Sequence, residues 1–195
     1  MTTVSAHVPS LARVVTELST PALVNTVVPL VIGHQAGSVA WGATTSLAAG
    51  VVPFAGILAG IRARRVTDHH VTVRGERPAV MAFILVSLVL GLAAQLTWQA
   101  PRTIVALTLA MLTTLVVLAL ITVVVHWKVS VHAAVAAGSA VMLAQAMGAW
   151  WSLSLAAVPI IMWSRVEVED HNTRQVYVGA VTGLLVAGLV FGIVR

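Results

Sequence analysis

The chain has 195 residues, 59% of them hydrophobic and only 9% charged, with a mean hydropathy of +0.99. This exceeds what a soluble domain of that length needs, and it predicts one polytopic helical membrane domain with no separate soluble domain. The net charge of +5 is too small in count for nucleic-acid binding, so basic residues beside apolar runs are expected to set topology or meet anionic headgroups. The absence of cysteine excludes disulfides, thiolate nucleophiles and thiolate metal sites.

Residues 1–19 form an N-terminal amphipathic segment without the continuous apolar core of a cleaved signal. Leu11, Val14, Val15 and Leu18 recur at helical spacing around Arg13 and Glu17, with Ser10 as a candidate N-cap. A short interfacial helix leading into the first span is expected. Residues 20–195 form the membrane domain. A span needs about 20 apolar residues. The candidates are 20–36, 39–61, 79–98, 103–125, 132–148, 150–163 and 175–194, which gives an all-α transmembrane bundle of six to seven spans. Gly37-Ser38 and Ala100-Pro101-Arg102 punctuate the first two pairs, and Trp150-Trp151 marks an interfacial turn. The runs are continuous and not alternating, which argues against a β-barrel. Gly179/Gly183 and Gly188/Gly192 predict close helix packing within the bundle.

This topology puts the connections 62–78, 126–131 and 164–174 on one side, with the N-terminal segment. Every acid (Glu17, Asp68, Glu76, Glu167, Glu169, Asp170) falls there. So does every Lys and Arg except Arg102 and Arg195, and every His except His34. One polar face opposite a nearly bare one points to a site assembled from three loops.

In the first loop, Arg62, Arg64 and Arg65 follow directly on a span and suit a topology or headgroup role, while Arg74 and Arg77 suit phosphate. His69 and His70 are candidate ligands. In the second, Lys128, Ser130 and His132 precede or open a helix. They can receive an anion and move a proton, or they are an N-cap serine with interfacial neighbours. In the third, "SRVEVEDH" (Ser164 to His171) sets Arg165 and His171 among Glu167, Glu169 and Asp170. A histidine beside carboxylates can be oriented and made more basic, and so act as base or nucleophile.

In order, these residues resemble the motifs of the type 2 phosphatidic acid phosphatase superfamily, membrane lipid phosphatases related to acid phosphatases and haloperoxidases. The third family motif, Ser-Arg, five residues, His, is matched by Ser164, Arg165 and His171. The second, Pro-Ser-Gly-His, appears as Val129-Ser130-Val131-His132, and the first, Lys, six residues, Arg-Pro, appears as His70 with Arg77-Pro78. The resemblance covers about residues 70–190 and implies a phosphatase needing neither metal nor cofactor. His171 would be the nucleophile, forming a phosphohistidine, and His132 would protonate the leaving alcohol and then help activate water. Arg77, Ser130 and Arg165 would bind the phosphoryl oxygens. His70 replaces the lysine, with Arg74 or Lys128 as compensating cations. The family's Asp four residues after the nucleophile is here Gln175, so Glu167, Glu169, Asp170 or Gln175 itself would orient His171.

The implied substrate is a lipid phosphate: a polyprenyl phosphate or diphosphate derivative, phosphatidic acid or phosphatidylglycerol phosphate. Resemblance to small bacterial members favours the prenyl-linked class and a bacterial-type plasma membrane, with membrane lipids as surroundings and no nucleic-acid partner. Most members act outside the cytoplasm. Here Arg13, Arg62, Arg64, Arg65, Arg74, Lys128 and Arg174 favour a cytoplasmic active face. Two other readings remain. One is a transporter or metal-binding protein using His69, His70, His126, His132 and His171 with Asp68 and Asp170, although the spans carry almost none of the charge that transport paths use. The other is a catalytically impaired scaffold, motivated by His70 and Gln175.

Overall fold

The fold is taken from a computed structural model that describes residues 10–195. The first nine residues of the N-terminal segment lie outside the described residues. Among the described residues the chain is helical, with no strand.

Helix α1 (Ser10–Leu18) turns by 50° into α2 (Pro21–Gln35). Thr20 starts α2 by accepting from the Leu23 amide at 3.4 Å, and Pro21 occupies the first turn, where no amide hydrogen is needed. Gly37, at φ 67, closes α2 in a conformation that glycine adopts without strain. There follow α3 (Val39–Arg62), α4 (Arg74–Thr97), α5 (Arg102–Val123), α6 (Val131–Met147), a tight 3-10 stretch (Ala149–Ala156), α7 (Ala157–Glu167) and α8 (Thr173–Val194). Two helices contain a π turn, Leu47–Val51 in α3 and Gly183–Ala187 in α8.

Each expected apolar run is helical, and length and composition support four to five spans of the expected six to seven. Four helices, α3, α4, α5 and α8, are long and apolar enough to cross a membrane, and a fifth crossing arises if the bent pair α1–α2 is one span. The shortfall is one of length. At 1.5 Å per residue the 17 residues of α6 reach about 25 Å and the 11 of α7 about 16 Å, against a hydrocarbon core of about 30 Å. A second difference concerns the third loop. Helix α7 continues to Glu167, so Ser164 and Arg165 lie in its last turn and not in a connection. Both are buried, which gives that turn a reason to persist beyond the apolar run.

Helix α6 is the centre of the bundle. Its small residues Ala133, Ala134, Ala137, Gly138 and Ala140 are buried and let neighbouring backbones come close. Helix α8 uses this opening. A Cβ on Gly179 would fall on the Ser130 carbonyl oxygen, and one on Gly183 on that of Ala134. Gly188 lies against Val141, and its carbonyl accepts from Gln145 Nε2 at 3.0 Å. The glycine pairs thus pack inside the bundle. In α1, Ala12 and Thr16 face inward while Leu11, Val14 and Leu18 are exposed, which suits a helix lying in an apolar interface.

The polar segments meet at one end. Arg77 Nη1 donates to the Val129 carbonyl at 3.0 Å, and the Ser130 amide donates to that of Gln175 at 3.2 Å. Lys128 Nζ donates to the Asp170 carbonyl at 2.6 Å, and Thr16 Oγ1 to Ser164 Oγ at 3.2 Å. The first turns of α4, α6 and α8 and the last turn of α7 are thereby held together, with α1 lying across them.

Candidate active site

A cavity opens at this polar end. Its polar lining is Thr20 together with His69, His70, Arg77, His132, Arg165 and His171, the last six drawn from all three segments. Arg77, His132, Arg165 and His171 are each at most 6% exposed. Four titratable side chains from four elements facing one small space is not a solvated surface pattern.

Arg77 sits in the first turn of α4. Its Nε donates to the Val71 carbonyl at 3.1 Å and its Nη1 to that of Val129, so one edge of the guanidinium is fixed and the other N–H groups are left for an anion. Val71 holds its carbonyl there at φ 50, a left-handed conformation that costs a β-branched residue about 1–3 kcal/mol. Arg165 is ion-paired through Nη2 with Asp170, whose carboxylate also lies 3.5 Å from Lys128 Nζ. Arg165 Nε is buried with no hydrogen-bond partner among the described residues. It is a fixed donor beside the cavity.

His171 is oriented by Gln175. Asn172 caps α8 by accepting from the Gln175 amide at 3.1 Å, and Gln175 Oε1 in return accepts from the Asn172 amide at 3.2 Å. The same oxygen lies 3.0 Å from His171 Nδ1. An amide oxygen only accepts, so Nδ1 carries the hydrogen, and the Nε2 lone pair has no hydrogen-bond partner among the described residues. Burial, then the nearby Arg77, push the His171 pKa down to about 3, against a raising hydrogen bond from Gln175. The ring is therefore neutral at physiological pH, as a nucleophile must be. A stability consequence follows. The unfolded chain protonates this histidine below about 6.5, the folded chain only near 3, so stability is complete above about 6.5 and is lost as pH falls towards 3. The melting midpoint of detergent-solubilised protein is expected to drop across that interval, and His171→Gln to flatten part of the drop.

His132, in the first turn of α6, has its Nε2 buried and unpartnered among the described residues. Its ring centroid lies 5.3 Å from that of His70. His70 Nε2 contacts Glu17 Oε1 of α1 at 3.0 Å. Burial lowers the His70 pKa in spite of that carboxylate, so this ring is not a standing substitute for a lysine charge. Lys128 is lowered by burial and then by Arg77 and Arg165, a sign of crowded positive charge that an anion would relieve.

Several expected site residues lie elsewhere. Ser130 is fully buried, caps α6 through its Oγ to the Ala133 amide at 3.4 Å, and does not line the cavity. Lys128 is committed to Asp170 behind Arg165, and Arg74 is exposed in a separate surface pocket with His126. Glu167 and Glu169 are exposed and make no hydrogen bond to His171, and Asp170 serves Arg165 and Lys128. Of the four candidates for orienting the histidine, Gln175 alone contacts it. The contact of Glu17 with His69 and His70, and the Val71 and Val129 carbonyls that hold Arg77, are not legible in the sequence. The one visible signal was Glu17, the single acid in α1. No family model, curated protein or solved structure matches the chain.

Proposed function

We propose that the protein is an integral-membrane lipid phosphatase working through a phosphohistidine. One observation carries the reading: two arginines and two histidines, far apart in sequence, line one cavity, with the Nε2 of His171 free for attack. The Arg77 and Arg165 guanidinium groups would take the phosphoryl oxygens and stabilise charge as the phosphoryl group passes to His171 Nε2. His132, taking up a proton once the anionic phosphate sits beside it, would give that proton to the departing alcohol and then draw one from water. A prenyl-linked phosphate is the preferred substrate. The shorter segments α2, α6 and α7 would complete a six- or seven-segment bundle, and the basic residues of the polar end would put the site on the cytoplasmic face. A cysteine introduced at Arg65 would then react with an impermeant maleimide only after cells are permeabilised.

The deciding assay is phosphate release from prenyl phosphate, phosphatidic acid and phosphatidylglycerol phosphate in detergent with EDTA present. EDTA-resistant release supports the reading, and no release from any of the three sinks it. A metal-binding reading is favoured by one separate feature. Glu17, His69 and His70 offer three ligand atoms that all lie within 4.8 Å of one another. Activity or stability that needs added zinc, and is lost with EDTA, would move the conclusion there.

A further inference from the structure

The phosphate-facing cavity does not end at its polar lining. A second cavity adjoins it and shares Phe54, Ile57, Ile84, Leu115 and Val131 as walls. It runs between α2, α3, α4, α5 and α6 into the bundle, to Met142 on α6 and Ala187 in the π turn of α8. Val131 and Met142 are eleven residues apart on one helix, about 16 Å at 1.5 Å per residue. That is about the depth of one leaflet, half of a hydrocarbon core of about 30 Å. The lining is chiefly apolar, and the Thr114 hydroxyl on the wall is turned back to the Ala110 carbonyl at 2.8 Å. Interiors of this kind are close-packed, so a long apolar space opening onto a cationic cavity calls for an occupant that is oily at one end and anionic at the other.

We propose that this channel draws a hydrocarbon chain of the substrate out of the bilayer and into the bundle, so that a long-chain phosphate ester is held by its tail as well as by its phosphate. The inference rests on the phosphatase reading for its head end and on the channel for its tail. One chain enters the protein while its phosphate meets Arg77, Arg165 and His171. Buried methylenes then contribute affinity, about fourfold for each at about 0.8 kcal/mol.

The test uses butyl, octyl, dodecyl and hexadecyl phosphate with the full chain in detergent. For the wild type, kcat/KM is expected to climb with chain length up to about the dodecyl ester and then level. Val135→Phe, which narrows the channel, should lower the dodecyl value at least tenfold and leave butyl phosphate unchanged. Met142→Ala, at the far end, should move the plateau to longer chains. A dodecyl phosphate carrying a terminal diazirine gives a readout that needs neither variant nor turnover. Photolabelling of the wild type is expected within Val135–Met142 or Met111–Leu118. Labels confined to outward residues such as Leu90, Leu120 and Leu189 (54–65% exposed) would overturn the channel, as would turnover indifferent to chain length and to Val135→Phe. Labels inside the channel with no hydrolysis of any ester would retain the tail site and remove the phosphatase.

Discussion

His171→Ala is expected to abolish EDTA-resistant phosphate release, by about 10³-fold or more, as when a nucleophile is removed from a catalytic set that acts as a unit. The size of the effect follows from geometry. His171 Nε2 is the free lone pair of a neutral ring whose other nitrogen is held by Gln175 Oε1 at 3.0 Å. Alanine removes that lone pair and leaves the arginines in place, so phosphate binding should persist while transfer stops. Wild-type protein incubated with radiolabelled substrate and quenched in alkali should carry an acid-labile, alkali-stable label, and the alanine variant should not. Label retained in the variant would transfer the nucleophile's role to another residue, with His132 the nearest chemical alternative in the same cavity.

The second large effect concerns Arg165. Its side chain is 2% exposed and paired with Asp170, itself 11% exposed. Removing one partner of such a pair strands the other charge and costs about 3–5 kcal/mol. Lys128 remains near Asp170, so Arg165→Ala should fall at the lower end, about 3 kcal/mol, together with a loss of about 10²–10³ in kcat if, as proposed, its guanidinium donates to the phosphoryl oxygens. Adding Asp170→Asn should restore part of the melting midpoint and none of the activity. A double variant no more stable than Arg165→Ala would mean that the stranded carboxylate is not the cause.

The apolar segmentation could be read directly, because lipid forces every spanning backbone to satisfy itself and long oily runs leave a helix as the solution. Expected bounds such as 20–36 and 103–125 fall within two residues of Pro21–Gln35 and Arg102–Val123. Arg77, His132, Arg165 and His171 are among the residues that the motif resemblance singles out, and they share one cavity. What sequence could not supply was the direction of each side chain. Ser130 and Lys128 lie within four residues of His132, yet Ser130 turns to a helix cap and Lys128 to Asp170. The acids before His171 were the natural candidates to orient it, but the helical turn of α7 carries Glu167 outward and the backbone at Glu169, φ 59, turns the chain before Asp170. The channel could not be read at all. A valine on its wall, Val135, and one that faces outward, Val124, have the same chemistry, and only packing separates them.

Gln175 has a consequence for how this protein tolerates change. Its Oε1 closes the helix cap at Asn172 and fixes the tautomer of His171 with the same lone-pair-bearing atom. A substitution at that codon is pleiotropic, because it alters the start of α8 and the reactivity of the histidine together. Variants at Asn172 should share the phenotype although they never touch the ring. In a deep mutational scan the two positions would show epistasis with His171, and this short peptide would drift as a block.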